Sequence, residues 1–218
     1  MPNEENGIQI LGIGASLRKG NSNYLLRRVF ESASELPFPT SVKIVTLHGK
    51  KIHPCVGCYK CREKCGSVLK DDFQELFLKW LSSDVVIYST PVYHMSIPGQ
   101  LKCFFDRLGQ SVTGYCNVRS ARHLKVVGTI VQGAHTAGGE EFAALNILQH
   151  SVLMNCIPVS GDGWESYICA AGSTKNQNTL DAMEKLVILS LRLHFALAVA
   201  CCGARQKLLQ LLSAVAKP

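Results

Sequence analysis

Apolar residues recur along the chain in two rhythms. Short, nearly continuous apolar runs occupy Ile8 to Ile13, Val42 to Leu47, Val85 to Ser89, Lys125 to Gln132 and Cys156 to Ser160. Runs of this length suit strands of a parallel sheet that is covered on both faces. Between them apolar residues return every three or four positions: Leu25, Leu26, Val29, Phe30 and Ala33 share one helical face, as do Phe73, Leu76, Phe77, Trp80 and Leu81, and Leu101, Phe104, Phe105 and Leu108. Strand and helix alternate. Asp71-Asp72 is placed to cap the Phe73 helix, and Pro98 falls where a first helical turn tolerates proline.

The alternation predicts an α/β fold, a doubly wound parallel sheet of five strands in the flavodoxin-like order 2-1-3-4-5, with ligands at the carboxyl ends of the strands. No repeat or low-complexity tract interrupts it, so residues 1–218 are expected to form a single domain, with residues 53–67 as a Cys-rich excursion after the second strand. A chain of 218 residues buries a core without disulfides or metals, and its 47% hydrophobic and 18% charged content belongs to a compact protein.

MPNEENG at the start has no apolar signal core, which leads us to expect a cytoplasmic protein whose ten cysteines are reduced, buried or metal-bound. Leu186 to Cys202 is apolar but broken by Arg192 and His194, which fits a buried or interface helix and not a membrane span. The net charge of +7 is spread without dense basic runs. It reads as solvated surface, with neither nucleic acid nor membrane as a partner.

The first strand runs into GASLRKGNSN, Gly14 to Asn23. A dinucleotide fingerprint requires a third glycine where Leu17 stands, and a Walker loop requires Gly-Lys-Ser/Thr where Gly20 precedes Asn21. What the loop does offer is Ser16, Arg18, Asn21, Ser22 and Asn23 at a helix start, where backbone N–H groups and the helix dipole favour an anion. A phosphate monoester suits it; so does an ordinary polar turn with Asn21 or Ser22 capping the helix.

HPCVGCYKCREKC contains Cys55, Cys58, Cys61 and Cys65 in the spacing C-x2-C-x2-C-x3-C. Such spacing turns successive sulfurs toward one centre. Four thiolates complete the ligand set of a [4Fe–4S] cluster or of a tetrahedral zinc, and free thiols are the third reading. Lys60, Arg62 and Lys64 offset the negative charge of such a centre. Cys103, Cys116, Cys156, Cys169, Cys201 and Cys202 are expected to be mostly small buried hydrophobes.

GASLRKGNSNYLL resembles the G-S-P-R-x-x-G-N-T-x-x-L loop of the NADPH-dependent FMN reductases and the iron-sulfur flavoproteins. CVGCYKC with the following KDD resembles their C-x-G-C-x-x-C…DD segment, SSDVVIYSTPVYHMSIPGQLKCFFDR their A-D-x-I-x-x-x-S-P-V-Y…LK…DR block, and QGAHTAGGEEFAALNIL their later Gly-rich loop. The resemblance covers about residues 8–160 and implies a flavodoxin-like fold that binds FMN non-covalently. Carried over, it implies that Ser16, Arg18, Asn21 and Ser22 hold the flavin phosphate with Asn23 nearby. Pro91, Val92, Tyr93 and His94 would line the ring, His94 through its backbone. Gly133, with Gly138 and Gly139, would let backbone approach the flavin. Asp106-Arg107 reads as a structural pair or surface cap closing the Leu101 helix, and Glu140 and Glu141 as helix-dipole partners.

Three substitutions depart from the pattern, Ala15, Leu17 and Ser22, and the donor set survives them. The family's usual fourth cysteine falls at Ser67, the thiol having moved back to Cys65. The implied activity is an FMN-dependent oxidoreductase in which a [4Fe–4S] cluster relays single electrons between FMN and a ferredoxin-type or small-molecule partner, with NAD(P)H or ferredoxin as donor. Alternatives are an NAD(P)H-dependent FMN or quinone reductase with structural cysteines, and a zinc-stabilised binding module without enzymatic activity. No catalytic residue is expected, because the flavin carries the redox chemistry. The resemblance further implies a homodimer or homotetramer.

Overall fold

The computed structural model describes residues 7–31, 39–63, 67–116, 125–135, 138–159, 170–182 and 185. Among the described residues six parallel strands form the sheet: β1 (Ile8–Gly14), β2 (Thr40–Thr46), β3 (Val85–Pro91), β4 (Val126–Gly133), β5 (Ile157–Pro158) and β6 (Ala170–Ser173). The helices between them are α1 (Asn21–Glu31), α2 (Phe73–Ser82), α3 (Gly99–Cys116) and α4 (Glu140–Leu153). The expected order β2-β1-β3-β4-β5 is the observed one.

One strand differs from the expectation. The run Cys156 to Ser160 yields only the two residues of β5, paired with Val126 and Val127 at the start of β4. β6 then takes over the same edge, pairing Ile130 to Gly133 with Ala170 to Ser173. Pro158 is accommodated because this is an edge: Ile157 and Val159 N–H donate to the carbonyls of Lys125 and Val127, and the nitrogen of residue 158 between them faces away from β4. Two short strands therefore share the fifth position, and the second of them reaches the carboxyl end of the sheet.

Alternation along the strands sorts the core onto two faces. Ile10, Val85, Ile87, Val126 and Ile130 pack with Leu25, Leu26, Val29 and Phe30 of α1. Leu11, Ile13, Val86, Tyr88, Val127 and Val131 face the other way, onto α2, α3 and α4. The helical faces read from periodicity are buried from Leu25 to Phe30, from Phe73 to Trp80 and from Leu101 to Leu108, while Leu81, the last residue of the second face, is half-buried. Ala33 and the segment from Leu186 to Cys202 lie outside the described residues. Among the described residues no helix is long and apolar enough to cross a membrane.

Two large polar side chains inside this core, those of Trp80 and Lys125, are paired. Trp80 Nε1 donates to Tyr88 Oη at 3.0 Å. Lys125 is fully buried at the amino end of β4, where its Nζ donates to the carbonyl of Leu81 at 3.0 Å and to that of Ser83, and lies 4.7 Å from the Trp80 ring centroid. It thereby satisfies carbonyls that the end of α2 leaves open.

Lys125→Met keeps the length of the side chain and removes the donor, leaving these carbonyls unpaired. We expect a loss of about 2 kcal/mol or more in chemical denaturation. Lys102→Met on the exposed face of α3 serves as the control and should stay within about 0.5 kcal/mol.

Candidate functional site

Parallel pairing brings the exits of β1, β3 and β4 to one edge of the sheet, and backbone hydrogen bonds hold them together there. Ala15 N–H donates to Ser89 O at 2.7 Å, Val92 N–H to Gln132 O at 2.9 Å and Thr174 N–H to Gly133 O at 3.1 Å. Between these exits lies a cavity of about 500 Å³, of a size typical for a cofactor. Ser16, Arg18, Lys19, Gly20 and Asn21 form one wall, Pro91, Val92 and Tyr93 a second, and Gln132, Gly133, Ala134, Thr174 and Lys175 the rest.

Of the residues singled out from the sequence, Ser16, Arg18, Asn21, Pro91, Val92, Tyr93 and Gly133 line this one cavity. Ser22 and Asn23 do not. Ser22 is fully buried, its hydroxyl taking a hydrogen bond from Gln132 Nε2 and its carbonyl one from Ser89 Oγ at 2.8 Å. Asn23 Nδ2 donates to Thr46 Oγ1 at 3.3 Å and to Arg18 O at 3.5 Å. Its Oδ1 fills the space above Gly14, where a Cβ would lie 2.0 Å from it, so only glycine fits. These two residues brace the loop from below.

His94 is exposed outside the lining. With φ of 46° and 64°, His94 and Met95 are both left-handed, and Tyr93 and Ser96 close the turn with reciprocal backbone bonds of 2.8 and 3.1 Å. This is the geometry of a tight hairpin turn of type I′. Gly139, at φ 103°, meets it without a side chain: a Cβ there would lie 2.7 Å from Met95 Sδ.

Lys19, Gln132, Thr174 and Lys175 escaped the sequence reading. Thr174 and Lys175 arrive through β6, whose pairing with β4 no local pattern announces. Asn21 Nδ2 donates to Thr174 O at 3.2 Å and Ser173 Oγ to Ala134 O at 3.4 Å, which ties this segment to both other walls. Arg18, Lys19 and Lys175 make the lining strongly cationic, while Ser16 and Asn21 add neutral polar groups. Such a wall suits an anionic ester.

A second cavity, of about 350 Å³, lies between the Cys-rich segment and α3 and shares no lining residue with the first. Cys55, Cys58 and Cys61 all line it, with Ser67, Arg107, Gln110 and Ser111 opposite. Gly57 and Tyr59, both left-handed, turn the chain between the thiols, and Lys60–Arg62 forms one 3-10 turn. Cys65 lies outside the described residues. Three soft donors on one cavity fit a thiolate-ligated centre in kind, yet among the described residues no three metal-binding side chains gather closely enough to hold one ion.

The base of this segment corrects the reading of Arg107. It is neither a surface cap nor the end of its helix: it lies inside α3, is 4% exposed and pairs with a fully buried Asp71 side chain. Its Nη1 donates to Asp71 Oδ2 at 2.5 Å and to His53 O at 3.1 Å; its Nη2 donates to Asp71 Oδ1 at 2.9 Å and to Ser67 Oγ at 2.7 Å. The Phe73 ring backs the guanidinium at 4.1 Å. Asp106, its sequence neighbour, is exposed and pairs with Lys102 at 2.5 Å instead.

Asp71 also receives His53 N–H at 2.8 Å and Phe73 N–H at 3.2 Å, so Asp71 and not Asp72 gives the cap bond to α2. Asp72 receives Lys51 N–H at 2.7 Å. Both ends of the Cys-rich segment are thereby fastened together. Burial works to raise the Asp71 carboxyl, but Arg107, His53 and Phe73 outweigh it and hold it below the usual carboxylate range. Burial pushes the Cys156 thiol up to about 11 and raises that of Cys103, as befits unreactive thiols.

The sequence profile of the NADPH-dependent FMN reductases matches residues 8–164. An iron-sulfur flavoprotein of Archaeoglobus fulgidus is 33% identical over 162 residues, which cover 74% of this chain and 80% of that one. One from Methanocaldococcus jannaschii is 30% identical, covering 71% and 77%. Among solved structures, an NAD(P)H:quinone oxidoreductase from Methanothermobacter marburgensis superposes with a TM-score of 0.60 at 17% identity, covering 86% of this chain and 95% of that one. An azoreductase from Bacillus anthracis reaches 0.54 at 14% identity, covering 88% and 98%. The likeness to these two structures is one of fold.

The buried pair yields a measurable pH signature. Asp71→Asn should cost about 3 kcal/mol at neutral pH, because Arg107 is left buried without its counter-charge. As the folded carboxyl titrates below its unfolded value, the stability difference between wild type and variant should be constant above about pH 4 and shrink as the pH falls through the depressed folded value. Urea denaturation at several pH values reads it directly.

Proposed function

The chain belongs to the NADPH-dependent FMN reductase family, whose members are flavin-dependent oxidoreductases, and from that premise we propose that its cavity of about 500 Å³ holds FMN while its Cys-rich segment holds a [4Fe–4S] cluster. The observation that carries the flavin half is the convergence of Ser16, Arg18 and Asn21 with Pro91, Val92, Tyr93 and Gly133 on one cavity at the carboxyl edge of the sheet. Bound FMN would supply the redox chemistry, taking up two electrons and releasing them singly. The protein's task is to bind and orient it.

At one end of the cavity Ser16 and Asn21 offer polar groups and Arg18 a charged fork to the phosphate, with the amino end of α1 behind them. At the other, Pro91 and Val92 set a stiff backbone wall and Tyr93 presents flat apolar area to the ring. Ser22 and Asn23 act indirectly, by fixing the loop. Cys55, Cys58, Cys61 and Cys65 would ligate the cluster and so let electrons pass one at a time, the role that the name of the iron-sulfur flavoprotein relatives suggests.

Two donors remain open to this arrangement, NAD(P)H and a ferredoxin, and the family's description favours NAD(P)H. A structural zinc held by the same thiols is the second reading, favoured by the exposure of Cys55 and Cys58 on the protein surface, where a redox-inert ion serves as well as a cluster.

Anaerobically purified protein, assayed together for FMN, iron, sulfide and zinc, separates these readings. We expect stoichiometric FMN, with iron and sulfide in equal amounts; zinc without sulfide would replace the cluster, and flavin-free protein that takes up no FMN would sink the enzyme assignment. Arg18→Ala should weaken FMN binding roughly tenfold or more while leaving the metal in place, since one charge-assisted contact is lost. Cys58→Ser should deplete iron and keep the flavin.

A further inference from the structure

Gln132 joins the two walls of the flavin cavity. It is the penultimate residue of β4, opposite Pro91 in the strand register, and its backbone carbonyl accepts the N–H of Val92, on the wall beside the ring. Its side chain reaches the other way, to the first turn of α1, where Nε2 donates to the hydroxyl of Ser22, next to Asn21 of the phosphate wall. The residue is 7% exposed, lines the cavity, and its Oε1 has no hydrogen-bond partner.

That unpartnered atom is informative by its position. Several buried polar atoms among the described residues lack a partner, including those of Glu140, Thr129 and Ser111, but Gln132 is the one of them that lines this cavity. A buried amide end without a partner is costly, and a site built to hydrogen-bond a ligand group leaves such an end waiting for it. Rings and phosphates have their own walls here; Gln132 stands between them.

We infer that Gln132 is a specificity-determining residue for the hydroxylated linker of the flavin, its free amide end pairing with a hydroxyl of the ribityl chain that joins ring to phosphate. A hydroxyl both donates and accepts, so it satisfies the amide in either orientation. The inference rests on the reading that this cavity is the flavin site. It adds that the cavity measures the chemistry of the linker as well as that of its two ends.

The test compares two ligands on two proteins. FMN and a synthetic analogue with the same ring and phosphate joined by a hydroxyl-free pentyl chain are titrated against flavin-depleted wild type and Gln132→Met, with flavin fluorescence as the readout. We expect Gln132→Met to weaken FMN about tenfold and to change the analogue by less than about twofold, the loss of one hydrogen bond confined to the ligand that can make it. Equal losses for both ligands would mean that the amide merely props Ser22, and would overturn the inference.

Unchanged FMN affinity would overturn it as well. Gln132→Asn, shorter but still polar, is the second variant should methionine compromise folding; it too should erase most of the preference for FMN over the analogue, and a retained preference contradicts the inference. A wild type that binds neither ligand, or FMN affinity that Arg18→Ala leaves unchanged, sinks the flavin-site reading itself and Gln132 with it. The two failures are thus told apart.

Discussion

A parallel strand cannot turn back on its neighbour, so every strand of this sheet must leave by its carboxyl end into a loop that crosses the sheet's rim. Pairing of β1 with β3, and of β3 with β4, therefore gathers the loop starts at Gly14, Pro91 and Gly133 along one line. Backbone bonds from Ala15 to Ser89 and from Val92 to Gln132 continue the ladder just past the strands and fix those loops relative to each other. The cavity between β1, β3 and β4 is the space this constraint leaves open. Its walls inherit the rigidity of the sheet, with Leu11, Ile13 and Tyr88 fully packed behind them.

The Cys-rich segment depends on a different device. It leaves the chain between β2 and α2, where no strand pairing supports it, and a single guanidinium on α3 gathers its two ends. Arg107 reaches His53 at the entry and Ser67 and Asp71 at the exit, so any group held by the thiols inherits its position from α3. Ser67 is informative here. Its hydroxyl is committed to Arg107 and to the Leu69 N–H, so the place where the family's usual fourth thiol falls serves the loop's base.

Much of this was legible in the sequence, and what was not has physical reasons. Continuous apolar runs and the spacing of Leu25 to Phe30 or Phe73 to Trp80 located strands and helices, because both signals are local. Seven cavity residues were legible from a motif that travels with its chemistry. Arg107 was misread because its neighbour in sequence, Asp106, looked like its partner, whereas the true partner lies 36 positions away. Lys175 and Thr174 were missed because β6 joins the sheet across a long separation, and Gln132 because a strand pattern says nothing of what the last side chain meets beyond the rim.

The paired left-handed residues His94 and Met95 carry a consequence for how the loop after β3 can vary. Such a turn has a fixed shape, and Gly139 presses on it through bare backbone. Gly139 directly precedes α4, so this contact couples the loop after β3 to the start of that helix, and any side chain at position 139 would force the two apart.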